Sequence, residues 1–316
     1  MLRGLARRAR PDSGVKILQG RVLKAYNSFF YVQVTEQQEL LSCKLRGKFK
    51  KARRSLAVVP GDVVEATPLP DGTGVIEEVL PREQFLPRPA VANLTQVVLT
   101  FAVAQPELHP LLLNRFLVMA EWSGVSKILI CLNKMDLCSS MPDDLLSLYE
   151  QVGYPVLRVS AETGEGMAEL KELLQGETTV FAGPSGVGKS SLLNALTGLE
   201  LQTGKVSDKI KRGRHTTRVA ELLPYGADSY IVDTPGFSAL ELAEVGLEDL
   251  PNCFREFRPY LGNCHFQPCS HTHEPGCAVK EAAEKGSVSQ ERYEAYQAIR
   301  SEIEAAQQLI RKKEYK

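Results

Sequence analysis

The run GPSGVGKS (Gly183–Ser190) sets three glycines around a Lys-Ser pair. Glycines let a backbone curl until several N–H groups point inward at phosphate oxygens. Between a strand and a helix, the pattern G-x4-G-K-[ST] is the phosphate-binding loop. The apolar run Thr179–Phe181 supplies the strand, and a helix is expected from Lys189. In that setting Gly183, Pro184, Ser185, Gly186, Val187, Gly188 and Ser191 surround the phosphates. Lys189 reaches the β- and γ-phosphates as a catalytic charge, and Ser190 gives its hydroxyl to Mg2+. Without the strand and helix, the same run would be an ordinary glycine-rich turn.

Two further stretches complete a nucleotide site. DTPG (Asp233–Gly236) ends an apolar strand, where Asp233 can hold Mg2+ through a water and the Gly236 N–H can meet a γ-phosphate. NKMD (Asn133, Lys134, Met135, Asp136) also ends a buried strand, where open α/β sheets bind ligands. A carboxylate at Asp136 accepts both N1–H and N2–H of guanine, donors that adenine does not present together. Asn133 braces the loop and the Lys134 stem covers the base. SAE follows the next strand, with Ser160 and Ala161 supporting the base and the Ala161 N–H offered to the guanine carbonyl.

The order along the chain is base motif, support motif, phosphate loop, RGRHTTR, then DTPG. An ordinary guanine-nucleotide switch places the phosphate loop first. A pocket depends on where strand ends lie in space, so a chain cut and rejoined elsewhere can build the same site. The order therefore reads as a circular permutation. RGRHTTR occupies the first switch, where Thr216 or Thr217 can complete the Mg2+ shell. Many GTPases orient the attacking water with a Gln after DTPG. Phe237 stands here instead, so unaided hydrolysis is expected to be slow, with His215 or a group from the partner positioning the water.

Cys264, Cys269, His271 and Cys277 form C-x4-C-x-H-x5-C. Three thiolates and an imidazole in one short loop suit a closed, structural Zn2+, with His265 and His273 as rival ligands. In KLRGKFKK the bases Lys44, Arg46, Lys48 and Lys50 recur every second residue. On a strand they share one face, either to track RNA phosphates or to keep a solvated edge from aggregating.

The elements that must carry these residues divide the chain. Residues 1–14 form a basic tail, and 15–80 read as five short strands of an OB-fold barrel. Three prolines mark 81–93 as a linker. Across 94–240, buried strand runs alternate with helical spacing, the signature of a doubly wound α/β sheet. Residues 241–316 read as helical around the Cys/His loop, ending in one long charged helix. The 38 basic and 38 acidic residues balance, but seven Lys or Arg crowd between Lys44 and Arg54 with no acid. No apolar run approaches a membrane span, and the start lacks the hydrophobic core of a secretory signal.

The barrel start, NKMD, SAETGEG, GPSGVGKSSLLNAL, RGRHTTR, DTPGF and the Cys/His loop together resemble the circularly permuted GTPase family RsgA, also called YjeQ or EngC. The resemblance implies an OB-fold, a permuted GTPase domain and a zinc-binding helical domain. It implies a cytoplasmic enzyme that hydrolyses GTP to GDP late in maturation of the small ribosomal subunit, binds its rRNA and is stimulated by it. Family position favours Thr217 for Mg2+ and His271 for zinc. A monomer without membrane association is expected. A GTP-dependent RNA-binding scaffold with little turnover is the alternative. A small-molecule kinase fits less well, because NKMD and SAE are present and no acceptor-binding base is evident.

Overall fold

The structure, a computed structural model, describes residues 17–35, 39–46, 58–87, 90–139, 143–198, 220–226, 228–233 and 242–314. The chain falls into two compact units, one ending at Arg82 and one starting at Glu83.

The first unit holds β1 (Leu18–Tyr26), β2 (Phe29–Val34), β3 (Leu40–Leu45), β4 (Val63–Pro68) and β5 (Thr73–Val79). Pairing runs β1–β2–β3–β5–β4 and returns from β4 to β1, which closes a five-stranded barrel. Alternation sends every second side chain inward, so Val22, Val32, Cys43, Val64 and Ile76 are all 0% exposed. Burial pushes the Cys43 thiol up to about 11, which leaves it an inert packing group. The barrel is tight enough to require glycine at Gly20, where a Cβ would lie 2.5 Å from the Gln33 carbonyl oxygen. Buried Asp62 accepts from Arg82 Nε at 2.6 Å, from Arg82 Nη2 at 2.8 Å and from the Val59 N–H at 2.9 Å.

The second unit opens with a hairpin, β6 (Phe85–Pro87) and β7 (Ala90–Ala92), within the stretch expected to be a linker. Val91 and Ala92 are buried, so this proline-bearing segment packs instead of merely connecting. The main sheet contains β8 (Gln96–Ala102), β9 (Lys127–Asn133), β10 (Val156–Arg158), β11 (Thr178–Ala182), β12 (Glu221–Pro224) and β13 (Tyr230–Asp233). Its order is β10–β9–β8–β11–β13–β12, parallel except for β12. Every residue of β8 and β11 is buried, as central parallel strands covered on both faces require. The covering helices are α1 (Pro110–Trp122), α2 (Asp143–Val152), α3 (Met167–Leu173) and α4 (Lys189–Thr197). The phosphate-loop strand β11 lies beside β8 although β8, β9 and β10 precede it in the chain. Three-dimensional order thus restores what sequence order scrambles.

Beyond residue 241 the helical expectation takes a tighter form. Leu242–Glu244, Leu250–Cys253 and Arg255–Tyr260 are 3-10 turns; in the last of them Pro259, inside the turn, has no N–H to give to an α-helical ladder. Two α-helices follow, α5 (Ala278–Glu284) and α6 (Gln290–Glu314). This region is bound to the sheet by two charged clusters. Glu121 on α1 accepts from Arg255 Nε and Arg258 Nη2, each at 2.6 Å, and from Tyr154 Oη at 3.0 Å. Arg292 on α6, 1% exposed, donates to Glu256 at 2.6 and 3.2 Å and to Asn114 Oδ1, and lies 4.6 Å over the Phe254 ring. A buried cation so fully partnered is tolerated, whereas losing one partner would cost several kcal/mol, about 3–5.

Candidate functional site

The phosphate loop leaves β11 at Gly183, whose φ is +147°. A Cβ there would stand 2.0 Å from the Thr100 carbonyl oxygen, so the crossing over β8 admits only glycine. Gly186 and Gly188 also have positive φ, +85° and +91°, and Gly188 caps α4. Lys189 opens that helix and turns its ammonium into the loop, donating to the Gly183 oxygen at 2.8 Å and the Pro184 oxygen at 2.7 Å. Burial pushes its pKa down. Ser190 sits half-buried in the first helical turn.

The base motif arrives at the same place from β9. Asn133, 2% exposed, donates from Nδ2 to the Val187 oxygen in the phosphate loop at 2.9 Å. Its Oδ1 accepts from the Ala161 N–H at 3.2 Å. One amide therefore joins the base motif, the support motif and the phosphate loop. Gly188 is glycine for the same reason, since a Cβ there would lie 2.4 Å from Asn133 Nδ2. The Ala161 N–H, expected to face the guanine carbonyl, has a protein partner in Asn133. Lys134 adopts the left-handed region at φ +65°, and its ammonium bonds the Gln105 carbonyl, a contact with no signature in the sequence. Met135 and Asp136 lie in the 3-10 turn Met135–Leu137. Ser160, fully buried, donates its hydroxyl to Asp136 Oδ1 at 2.5 Å and accepts from the Thr163 N–H at 3.1 Å. That pair fixes the orientation of an exposed carboxylate.

β13 runs parallel to β11 with Val180 opposite Val232, so the backbone of Asp233 emerges beside the loop. His215, Thr216, Thr217, Gly236 and Phe237 lie outside the described residues, as do Lys48 and Lys50. Lys44 is in β3, exposed, with its ammonium 4.9 Å over the Phe29 ring. Arg46 follows the strand end and pairs with Glu77.

The Cys/His loop brings Cys264, Cys269, His271 and Cys277 together, with all four ligand atoms within 4.8 Å of one another. Cys264 Sγ is 3.9 Å from Cys277 Sγ, and His271 Nδ1 is 3.5 and 3.4 Å from those sulfurs. Tetrahedral Zn2+ with ordinary bond lengths demands sulfur–sulfur edges of about 3.8 Å and sulfur–nitrogen edges of about 3.5 Å. The donor set fits. Burial pushes the Cys269 thiol up to about 12 and the Cys277 thiol up, while burial pushes the His271 imidazole down. Crowded donors of this kind want a cation among them. His271 holds φ +56°, and Tyr293 and Tyr296 on α6 fix the loop by donating to the His271 oxygen at 2.9 Å and the Ser270 oxygen at 2.7 Å. Of the rivals, His273 bonds its neighbour Thr272 and His265 packs edge-on against Phe266.

Comparison with known proteins agrees with this geometry. The family model described as RsgA GTPase matches residues 79–243, and the RsgA N-terminal domain model matches 19–76. The small ribosomal subunit biogenesis GTPase RsgA of Caldanaerobacter subterraneus is 41% identical over 288 residues, covering 90% of this chain and 96% of that protein. The chain belongs to the RsgA GTPase family. The protein of the same name from Clostridium botulinum strain Langeland is 41% identical over 281 residues, covering 88% and 95%. Among solved structures, YjeQ from Thermotoga maritima has a TM-score of 0.77 at 40% identity and covers 91% of this chain and 99% of its own. YloQ, described as a circularly permuted GTPase, has a TM-score of 0.77 at 34% identity and covers 94% and 99%. The RsgA fold thus accounts for both the reversed motif order and the barrel that precedes it.

Tyr293, Tyr296, Glu121, Asn114 and Arg292 carry no motif. Their roles depend on partners far away in the chain.

Proposed function

We propose that the chain hydrolyses GTP to GDP and phosphate and acts in biogenesis of the small ribosomal subunit, as its relatives' names state for them. The observation that carries the reading is the Asn133 amide, which locks a guanine-reading motif to a phosphate loop. Ser190, Asp233 and Thr217 would hold Mg2+, which would supply positive charge against the phosphates when bound. Lys189 supplies a second positive charge from within the loop, and Asp136 reads the base. His215 or a group of the subunit orients the attacking water, since Phe237 has no hydrogen-bonding group to do so. The closed Cys3His set holds a structural Zn2+ and takes no part in the chemistry. Lys44, Arg46, Lys48 and Lys50 face rRNA phosphates, which makes subunit binding steeply salt-dependent. Among the described residues no helix is long and apolar enough to cross a membrane.

Steady-state GTP turnover with and without purified small subunits tests the reading. Acceleration of about tenfold or more is expected, because the chain lacks its own water-orienting Gln. Equal rates, slow in both cases, would favour a GTP-bound RNA scaffold instead.

A further inference from the structure

The first turn of α1, the outer face of α2 and the first turns of α6 enclose a groove of ≈ 350 Å3. Its walls are Leu111, Leu145 and Leu148, all only partly buried. On α6, Ala295 and Ala298 stand one turn apart, and their small side chains leave the space between the helices open. The polar groups of the floor are satisfied among themselves. Arg292 is paired with Glu256 and Asn114, and Tyr149 Oη meets Asn114 Oδ1 at 3.4 Å. Nothing in the floor calls for a polar ligand.

The mouth has a different character. Glu291 and Glu294, exposed on α6, line it, and beyond the lining residues α2 opens with exposed Asp143 and Asp144. Asp143 lies 3.8 Å from Arg158, which also stands 3.7 Å from Glu150. Arg292, the one formal cation among the residues lining the groove, is 1% exposed and neutralised by Glu256. An apolar trough with an acidic rim repels nucleic-acid phosphates and attracts cationic groups on an apolar carrier. We propose that this groove docks a lysine- or arginine-rich polypeptide segment carrying one or two large apolar side chains. Its walls come from helices on the sheet and from α6, so the occupant bridges the nucleotide-binding layer and the metal-loop region. The inference is independent of the proposed turnover: a failed peptide titration leaves subunit stimulation untouched, and the reverse holds.

The test uses the full zinc-loaded chain with methyl-labelled leucines. The probe is a twelve-residue lysine-rich peptide bearing two leucines four positions apart. Saturable binding is expected, with shifts at the methyls of Leu111, Leu145 and Leu148. Serine in place of the peptide leucines should weaken binding about tenfold or more. The double variant Glu291→Lys with Glu294→Lys should weaken it by about tenfold, and Leu148→Ser by a similar factor, both with GTP affinity unchanged. No binding, shifts confined to other leucines, or variants that bind as the parent does would overturn the proposal. A twelve-nucleotide RNA that shifts the same methyls would overturn it too, and would assign the groove to nucleic acid.

Discussion

Replacing Asn133 with alanine should lower GTP affinity by about a hundredfold while leaving the chain folded. The side chain makes two buried contacts, donating to the Val187 oxygen at 2.9 Å and accepting from the Ala161 N–H at 3.2 Å. Deleting it orphans the Val187 oxygen where water has little access, Asn133 being 2% and Val187 1% exposed, and leaves the N–H of half-buried Ala161 without this partner. An unsatisfied buried group costs about 1–3 kcal/mol, so the pair is worth roughly 3 kcal/mol, or about two powers of ten in affinity. The cost falls mainly on binding, because the contacts join loops that nucleotide must find already aligned. Asn133→Asp should be little better. It keeps an acceptor for Ala161 but faces the Val187 oxygen with a second acceptor. Equilibrium titration with a fluorescent GTP analogue checks this; a loss below about threefold would mean that the brace is incidental.

The second large effect concerns the metal loop. Cys277→Ser should abolish stoichiometric zinc and lower the melting temperature of the second unit by about 10 °C or more. Apparent zinc-binding energies in small finger peptides reach about 10–16 kcal/mol, against a total stability of about 5–15 kcal/mol for an ordinary domain. Cys277 is 2% exposed, and it also caps α5 by accepting from the Lys280 N–H at 3.5 Å. Serine still offers an oxygen to that N–H, so the substitution removes a metal ligand while keeping the cap, and the loss reads on the metal alone. Tyr293 and Tyr296 tie the loop to α6, and Arg292 ties α6 to α1, so the disturbance should reach the sheet. Metal analysis beside a thermal melt, with and without chelator, checks both parts. Less than half an equivalent of zinc in freshly purified parent protein, or a melt indifferent to chelator, would contradict the assignment.

What the sequence made legible was whatever is local. The runs that form β8, β9 and β11 are short, apolar and bounded by turn residues, and the helical spacing between them corresponds to α1 and α2. The phosphate loop and NKMD are legible because their chemistry needs adjacent residues. β12 has no local signature, because it is a four-residue antiparallel strand whose identity comes from pairing with β13. The hairpin β6–β7 was hidden by prolines that usually mark connectors. Arg292 reads as one more charge on a solvated helix, and nothing nearby reveals its burial. Its partners Glu256 and Asn114 are 36 and 178 residues away. Spacing alone leaves three histidines within nine residues as metal ligands; family position favours His271, and His271 is the one brought against the sulfurs.

The central claim is that a chain with reversed motif order still assembles one guanine-reading site, with Asp136 as the reader. Nucleotide affinity of Asp136→Asn, measured for GTP and for xanthosine triphosphate, tests it most directly. The carboxylate accepts N1–H and N2–H of guanine, whereas an amide presents N–H groups that oppose the guanine amine and suit the xanthine 2-oxygen. The account predicts that GTP affinity falls by about a hundredfold and that xanthosine triphosphate becomes the tighter ligand. Undiminished GTP affinity, with no gain for the xanthine nucleotide, would contradict it.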